Sequence, residues 1–524
     1  MKTDVLLVGA GPTGLMLANQ LARRGLRPLI IDRHPGPSLQ TRALGVQART
    51  LEIYAKMGLA EQAIELGKRG NGAHLWSEGQ QIGAVSLSDA GSKQTPYPYI
   101  LVLGQDDNER LLGDLLRKWD IAVQWNTELV GLAQEDGRVT VKVRRQDGTL
   151  AEIEVAWVAG CDGAHSAVRG LNAIEFEGAE YEHVFFVADT QATGSMVPDE
   201  LNVYLWRTGF HLFFPMRGID HWRLVGILPP QMRAEEGLTF DDVIPAVRQE
   251  AGAELNFIKC SWFSTYRIHH RRAVRFRKDR CFLLGDAAHI HSPVGAQGMN
   301  TGLQDAYNLA WKLALVVRQR ADVGLLDSFE AERIPVAQRL LDTTDRAFLL
   351  VASDSWLAGL FRTRILARIM AFAMGVDRIR TLAFRTISQI GISYRDGPLS
   401  ESTAALPGTA PRAGDRFPWL RLKLEGAGEP VDVFAQCDDT RFNLIVIGQP
   451  RPPQDMPALG ELLRVHVVAS DPANDRELVR AQIPQPSFYL LRPDGHVGLA
   501  GARFDAALAA RYVSERLRIA HGAA

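Results

Sequence analysis

Gly9-Ala-Gly11-Pro-Thr13-Gly14 separates an apolar run, Asp4 to Val8, from a stretch that reads as a helix, Leu15 to Arg24. A second apolar run, Pro28 to Ile31, follows and ends in Asp32. Strand, glycine turn, helix and strand in that order point to a parallel α/β sheet with helices on its faces. The same spacing limits what the turn can hold. Gly9 makes the tight bend, Gly11 lets backbone approach a pyrophosphate, Gly14 permits close helix packing, and Asp32 can bond a ribose hydroxyl.

A second turn matches the first in kind. Cys281 to Leu284 reads as a short strand that delivers Gly285 and Asp286 to a Pro/Gly-rich turn, and a helix is expected to begin near Met299 or Asn300. Leu303, Tyr307, Ala310, Leu313, Ala314 and Val317 recur at steps of three and four, which predicts a helix with one buried face. Its N–H groups at Gly298, Met299 and Asn300 suit a ligand carrying negative charge, while Asp286 suits a hydroxyl donor. His289 and His291 flank that turn, but no convergent ligand set accompanies them and no metal site is expected. Between the two turns, a strand from Val155 to Ala159 leads to Asp162-Gly163 with Ser166 and Arg169, a further return to the sheet. Arg42 follows the second strand, where its guanidinium could reach back to the ligand, and Gln105 opens a helix.

With 524 residues the chain is expected to form two or three domains. Hydrophobic content of 46%, charged content of 23% and a net charge of -1 give no electrostatic reason to seek nucleic acid or an acidic membrane. Cys161, Cys260, Cys281 and Cys437 are widely spaced, which excludes a CxxC centre and fits a reducing, cytoplasmic setting. The start of the chain reads as strand one rather than a signal peptide, because glycines interrupt its apolar run. Ala347 to Gly375 is apolar but broken by Asp354, Arg362, Arg364 and Arg368, so no membrane span is expected.

Taken together, the Gly9 turn, the Asp162-Gly163 motif and Gly285-Asp286 with Pro293 and Gly298 resemble the class A FAD-dependent aromatic hydroxylases. The likeness is nearest to the branch of phenol, 3-hydroxyphenylpropionate and polyketide hydroxylases, and spans roughly residues 1 to 345. It implies tightly but non-covalently bound FAD, held by Gly9, Gly11, Thr13, Gly14, Asp32, Arg33, Arg42, Gln105, Asp162, Asp286, Pro293, Gly298, Met299 and Asn300. It also implies NADPH or NADH as a transient reductant that has no Rossmann domain of its own. The implied reaction is hydroxylation of a phenolic or polycyclic aromatic by O2 through a flavin C4a-hydroperoxide. Baeyer-Villiger oxidation, double-bond reduction or a non-catalytic flavin redox sensor are the alternatives; the halogenase signature Trp-x-Trp-x-Ile-Pro is absent.

The domain plan that follows is α/β (α+β). A discontinuous Rossmann-like FAD-binding domain takes 1–75, 104–173 and 275–345, interleaved with a mostly antiparallel β-sheet substrate domain at 76–103 and 174–274. A helical bridge takes 346–397, and a thioredoxin-like C-terminal domain takes 398–524, entered through a Pro/Gly-rich linker, Pro398 to Arg416. Tyr204, Trp206, Phe210, Phe213 and Trp222 are expected to line a substrate cavity, with His211 and Pro293 as catalytic candidates. Arg267 to Arg280 is basic enough to meet NADPH phosphates or to form a solvated strand face. The C-terminal domain has only Cys437, so packing or a homodimer contact is expected of it rather than electron transfer.

Overall fold

The computed structural model describes residues 2–519 except 39–42, 136, 208, 236, 253, 292–295, 353–368, 370–374 and 453–458. Its first sheet has the strand order Arg277–Lys278, Cys281–Leu283, Leu150–Gly160, Lys2–Val8, Leu29–Ile31, Val123–Gln124. Lys2–Val8 lies parallel to both Leu150–Gly160 and Leu29–Ile31. The long strand Leu150–Gly160 shows why its sequence changes character midway. Its first half pairs antiparallel with Arg138–Arg144, one face open to water, and alternates between exposed and buried residues. Its second half runs parallel between two strands and is buried without a break from Trp157 on, apart from the pleat.

Helix Pro12–Arg23 packs along helix Gly298–Val317 on this sheet. The expectation of one buried face on the second helix needs correction, because it is buried on every side from Asn300 to Leu315. The cause is a second cover: Trp311 packs edge-on against Phe442, 5.8 Å between rings, in the C-terminal part of the chain.

The second sheet runs in the order His289–Ile290, Leu255–Ala273, Phe176–Gly194, His221–Ile227, Gly209–Pro215, Leu201–Trp206, Gly72–Ser77, Gln80–Ser86. All its pairings are antiparallel except Leu201–Trp206 with Gly72–Ser77. One face is covered by helix Phe240–Ala251, which the sequence reading did not anticipate. Its signs were present: Thr239 and Asp242 form a capping box, and Phe240, Val243, Val247 and Ala251 make the buried stripe. Ile100–Val102 joins Gly45–Val46 and Lys68–Gly70 in a separate three-stranded sheet.

The C-terminal sheet is mixed and five-stranded, in the order Glu401–Ser402, Val497–Gly501, Ser487–Leu491, Phe442–Ile447, Leu463–Val468. Val497–Gly501 escaped the sequence reading because two of its five residues are glycine, which weakens any strand signal. The stretch 398–416 is no loose linker. Glu401–Ser402 pairs with Leu499 and Ala500, and Asp415 accepts hydrogen bonds from Ser393, Arg395 and the Arg412 N–H. Near the end of the described residues a short helix, Ala506–Arg511, continues as a π turn. Much of the helical bridge expected at 346–397 lies outside the described residues, and helix Asp377–Ile387 belongs to its described part. No helix among the described residues is long and apolar enough to cross a membrane.

Candidate functional site

Three parallel strands end side by side. Val8 is in register with Gly160, and Gly160 with Leu283. The chain therefore leaves the sheet at one edge through Gly9 to Gly14, through Cys161 to Gly163 and through Leu284 to Asp286. A crevice beyond the carboxyl ends of parallel strands is where this kind of sheet takes its ligands.

The glycines divide the work. Gly9 has φ +100, and a Cβ there would strike the Cys161 carbonyl; one at Gly14 would strike the Gly9 carbonyl. Both are required by the protein's own packing. Gly11 is different, since a Cβ there would meet nothing within 4 Å. Open space beside Gly11, at the start of a helix, fits an approaching pyrophosphate. Asp32 is held next to it, with Oδ2 accepting the Ala10 N–H at 2.7 Å and Oδ1 accepting the His34 N–H at 2.8 Å. Oδ1 also lies 2.8 Å from His34 Nδ1, so Oδ2 is the oxygen that keeps a lone pair for a hydroxyl. Arg33 is exposed beside it. Thr13 Oγ1 packs against Gly285 and Gly302.

Gln105 braces the loop that carries Arg42. Its Oε1 accepts the Ala43 N–H at 3.3 Å, while its Nε2 donates to Glu109, whose other oxygen accepts the Ser38 N–H at 3.0 Å. Burial pushes the Glu109 carboxyl up. Arg42 itself lies outside the described residues, as does Pro293.

In the second motif Asp162 accepts the Val168 N–H through Oδ2, and its Oδ1 is buried with no hydrogen-bond partner among the described residues. Burial pushes its carboxyl up. Arg169 donates to the carbonyls of Ala164 and Ala287 and lies 3.9 Å from the Phe176 ring centre, so it ties this motif to the third.

The third motif is secured from beneath by a residue the sequence reading passed over. Asp305 Oδ2 accepts the Gly285 N–H at 3.0 Å and lies 2.7 Å from His289 Nε2; its Oδ1 accepts Arg333 Nε at 2.6 Å. Arg333 also donates to the Thr301 carbonyl and the Tyr394 hydroxyl. Burial opposes ionisation of Asp305, but Arg333 and His289 outweigh it and hold the carboxyl below its ordinary range. Gly285 takes φ +58 and Asp286 stays exposed at the tip. Asp305, Asn308 and Lys312 lie at helical spacing on one stripe, a polar signal that a search for apolar periodicity overlooks.

Gly298 is the first residue of its helix, with Gln297 before it. The Asn300 side chain is fully committed. Its Oδ1 accepts from the Gln47 N–H and the Thr50 hydroxyl, and its Nδ2 donates to the Gly45 and Ala296 carbonyls. Only its backbone N–H is left for a ligand, and Met299 Sδ is engaged by Asn108 at 3.3 Å.

The aromatic residues expected to line one cavity are split by the sheet. Tyr204, Phe213 and Trp222 belong to the core under helix Phe240–Ala251, together with Trp76 and Phe186. Trp206 stacks on His211 at 5.6 Å, and His211 Nε2 lies 2.8 Å from Glu250 of that helix. His211, a catalytic candidate from the sequence, is thus a buried partner of the covering helix. Phe210 alone among the six lies on the other face, with Phe185, Leu205 and Ile227 and the partly buried Phe214, Trp262 and Tyr266. Alternation along a strand separates two faces but does not say which one a helix will cover. In the basic run, Arg272 donates to Gln338, Arg277 to Asp327, Lys278 to the Asn172 carbonyl and Arg280 to the Ala156 carbonyl, so much of its charge holds the fold together.

Residues 2–344 match the family described as "FAD binding domain". The chain is 32% identical over 520 residues to a 6-methylpretetramide 4-monooxygenase of Streptomyces rimosus, covering 95% of this chain and 91% of that protein. It is 31% identical over 506 residues to a pentachlorophenol 4-monooxygenase of Sphingobium chlorophenolicum, covering 94% and 86%. Among solved structures, the anhydrotetracycline hydroxylase from Streptomyces rimosus superposes with a TM-score of 0.78 at 28% identity, covering 99% of this chain and 100% of that one. The ternary complex of aklavinone-11 hydroxylase with FAD and aklavinone gives 0.78 at 25% identity, covering 98% and 99%. With the strand ends, the Gly11 approach and the Asp286 turn in one crevice, and with these relatives along nearly its whole length, the chain belongs to the FAD-binding-domain family of flavin-dependent aromatic monooxygenases.

Proposed function

We propose that this protein hydroxylates a phenolic or polycyclic aromatic ring, drawing electrons from NADPH or NADH and one oxygen atom from O2. The observation that carries the reading is a continuity of chain: from Asp286 the backbone runs into His289–Ile290, which pairs with Arg271 and Arg272 at the edge of the second sheet. The flavin turn and the sheet are one connected wall. FAD, when bound, supplies the redox chemistry and the activation of oxygen. The chain's share is to hold and to shield. Asp32 and Asp286 offer acceptors to hydroxyl groups, Gly11 admits the pyrophosphate, and the helix starting at Gly298 favours negative charge at its N-terminus.

For the substrate we look to the sheet face opposite helix Phe240–Ala251. Phe210, Phe214, Trp262 and Tyr266 give it flat apolar surface, and Arg223, paired with Asp189 and 5.4 Å from the Trp262 ring centre, gives it a fixed charge pair. Such a wall suits an aromatic ring system bearing oxygen. The character of the relatives supports a reduced pyridine nucleotide as electron source. The C-terminal sheet is read as a thioredoxin-like unit that acts by packing, since Cys437 has no second cysteine near it in sequence.

Incubation with NADPH or NADH under 18O2, across a panel of mono- and polycyclic phenols, tests this. Product carrying one labelled oxygen is expected. Labelled peroxide alone, with every phenol recovered unchanged, would overturn the aromatic assignment.

A further inference from the structure

Away from the flavin turn, a cavity of about 460 Å3 lies between helix Ala48–Lys56 and the C-terminal sheet. None of the three flavin motifs lines it. Its walls combine aromatic rings, Tyr97, Tyr307 and Phe434, with the cations Lys56 and Arg464. The volume is that of ordinary small-molecule sites, roughly 300–1,000 Å3.

The charges on these walls are unequally engaged. Asp439 is held by Arg23 and the Tyr307 hydroxyl. Asp432 accepts the Phe434 N–H and the Trp419 indole, and Asp438 accepts from Thr440. The cations differ. Lys56 Nζ donates to the Cys437 carbonyl at 2.5 Å and has no carboxylate partner among the described residues. An ammonium has three donors, so two remain. Arg464 is exposed and forms no ion pair among the described residues. Asp439, Asp432 and Asp438 favour the charged form of Lys56 from beyond ion-pair distance, against the larger effect of its burial. His466 is pushed down to about 4, first by burial and then by Arg464, Lys56 and Arg451. The Tyr97 hydroxyl also has no hydrogen-bond partner among the described residues, which adds a donor near the cations.

We infer that this cavity is a second ligand site, for a small aromatic carboxylate whose anionic head meets Lys56 and Arg464 and whose ring lies against Tyr97 and Phe434. The site is separate from the proposed reaction and stands or falls without it. Its position gives it a structural consequence: Arg23 bonded to Asp439, and Arg49 bonded to the Asp494 carbonyl, already join its two walls, so an occupant bridges the FAD-binding part to the C-terminal sheet.

Calorimetric titration of the FAD-loaded protein with 2-naphthoate, with flavin absorbance recorded in parallel, tests the site. One binding event that leaves the flavin spectrum unchanged is expected, weakened about tenfold by Lys56→Met and by Arg464→Gln, each removing one charged hydrogen bond. Arg464 is on the surface, so its substitution reports on binding even if Lys56→Met disturbs folding. Unchanged affinity in Arg464→Gln, no heat of binding, or binding that always shifts the flavin spectrum would overturn the inference.

Discussion

Gly11 and Gly14 stand three residues apart and answer different demands. Valine at Gly14 drives a side chain into the Gly9 carbonyl, whereas valine at Gly11 projects into open space where the cofactor approaches. Gly11→Val is therefore expected to fold with the thermal stability of the cofactor-free wild type and to lose FAD, and Gly14→Val to fail to fold; comparing melting with flavin content checks both. Asp305 makes a sharper case. Replacing it with alanine leaves Arg333 buried without its carboxylate, a cost of about 3–5 kcal/mol, and frees the Gly285 N–H. Thermal unfolding should show that loss, and Asp305→Asn, which can still accept from Gly285, should retain more FAD than Asp305→Ala at equal protein concentration. The turn glycines and Asp305 also mark what sequence could disclose. Glycines at the turn are legible because backbone geometry demands them at fixed spacing. Asp305 was not, since its partners Gly285, His289 and Arg333 come from other parts of the chain.

At the scale of elements, helix Phe240–Ala251 decides which side of the substrate sheet is wall and which is floor. Tyr204 stacks on Trp76 at 5.4 Å beneath that helix, and Phe214 lies on the opposite face. Phe214→Ala is expected to raise the KM for the aromatic substrate severalfold with melting little changed. Tyr204→Ala, by contrast, opens a core and costs about 3–5 kcal/mol, while KM in the surviving protein stays as in the wild type. Steady-state kinetics and melting on the two variants separate the faces; the reverse pattern would place the substrate under the helix. The strands themselves, Leu201–Trp206 and Gly209–Pro215, fall within the stretch 174–274 expected to form a β-sheet. Their orientation was not legible, because it depends on a helix about thirty residues downstream that the strands do not announce.

Across the whole molecule, the C-terminal sheet is fastened to the flavin helix by buried charge. Glu332 accepts from Lys312 and Asn308 at 2.8 Å and is paired with Arg492, which also holds Asp494, while Trp311 and Tyr307 donate to Asp494 and Asp439. Burial alone would raise the Glu332 carboxyl, but Arg492 and Lys312 outweigh it and push it down to about 2. A depressed carboxyl stabilises the fold fully above its unfolded pKa of about 4.3, and that contribution is lost as pH falls toward the folded value. Unfolding measured between pH 7 and pH 3 should therefore show stability declining below about pH 4.5, with a shallower decline in Glu332→Gln, whose baseline is already lower. The sheet's existence could be read from its apolar strands. Its union with helix Gly298–Val317 could not, since Arg492 and Asp494 sit in what the sequence presents as an ordinary Pro-Asp-Gly turn.

The most direct test of the central claim is anaerobic stopped-flow reduction of the protein-bound flavin by NADPH and by NADH, with and without the phenol panel. One aromatic compound should accelerate flavin reduction by orders of magnitude, and admitting oxygen should then yield hydroxylated product. A purified protein that holds no flavin, or a flavin whose reduction no phenol alters and whose reoxidation gives only peroxide, would contradict it.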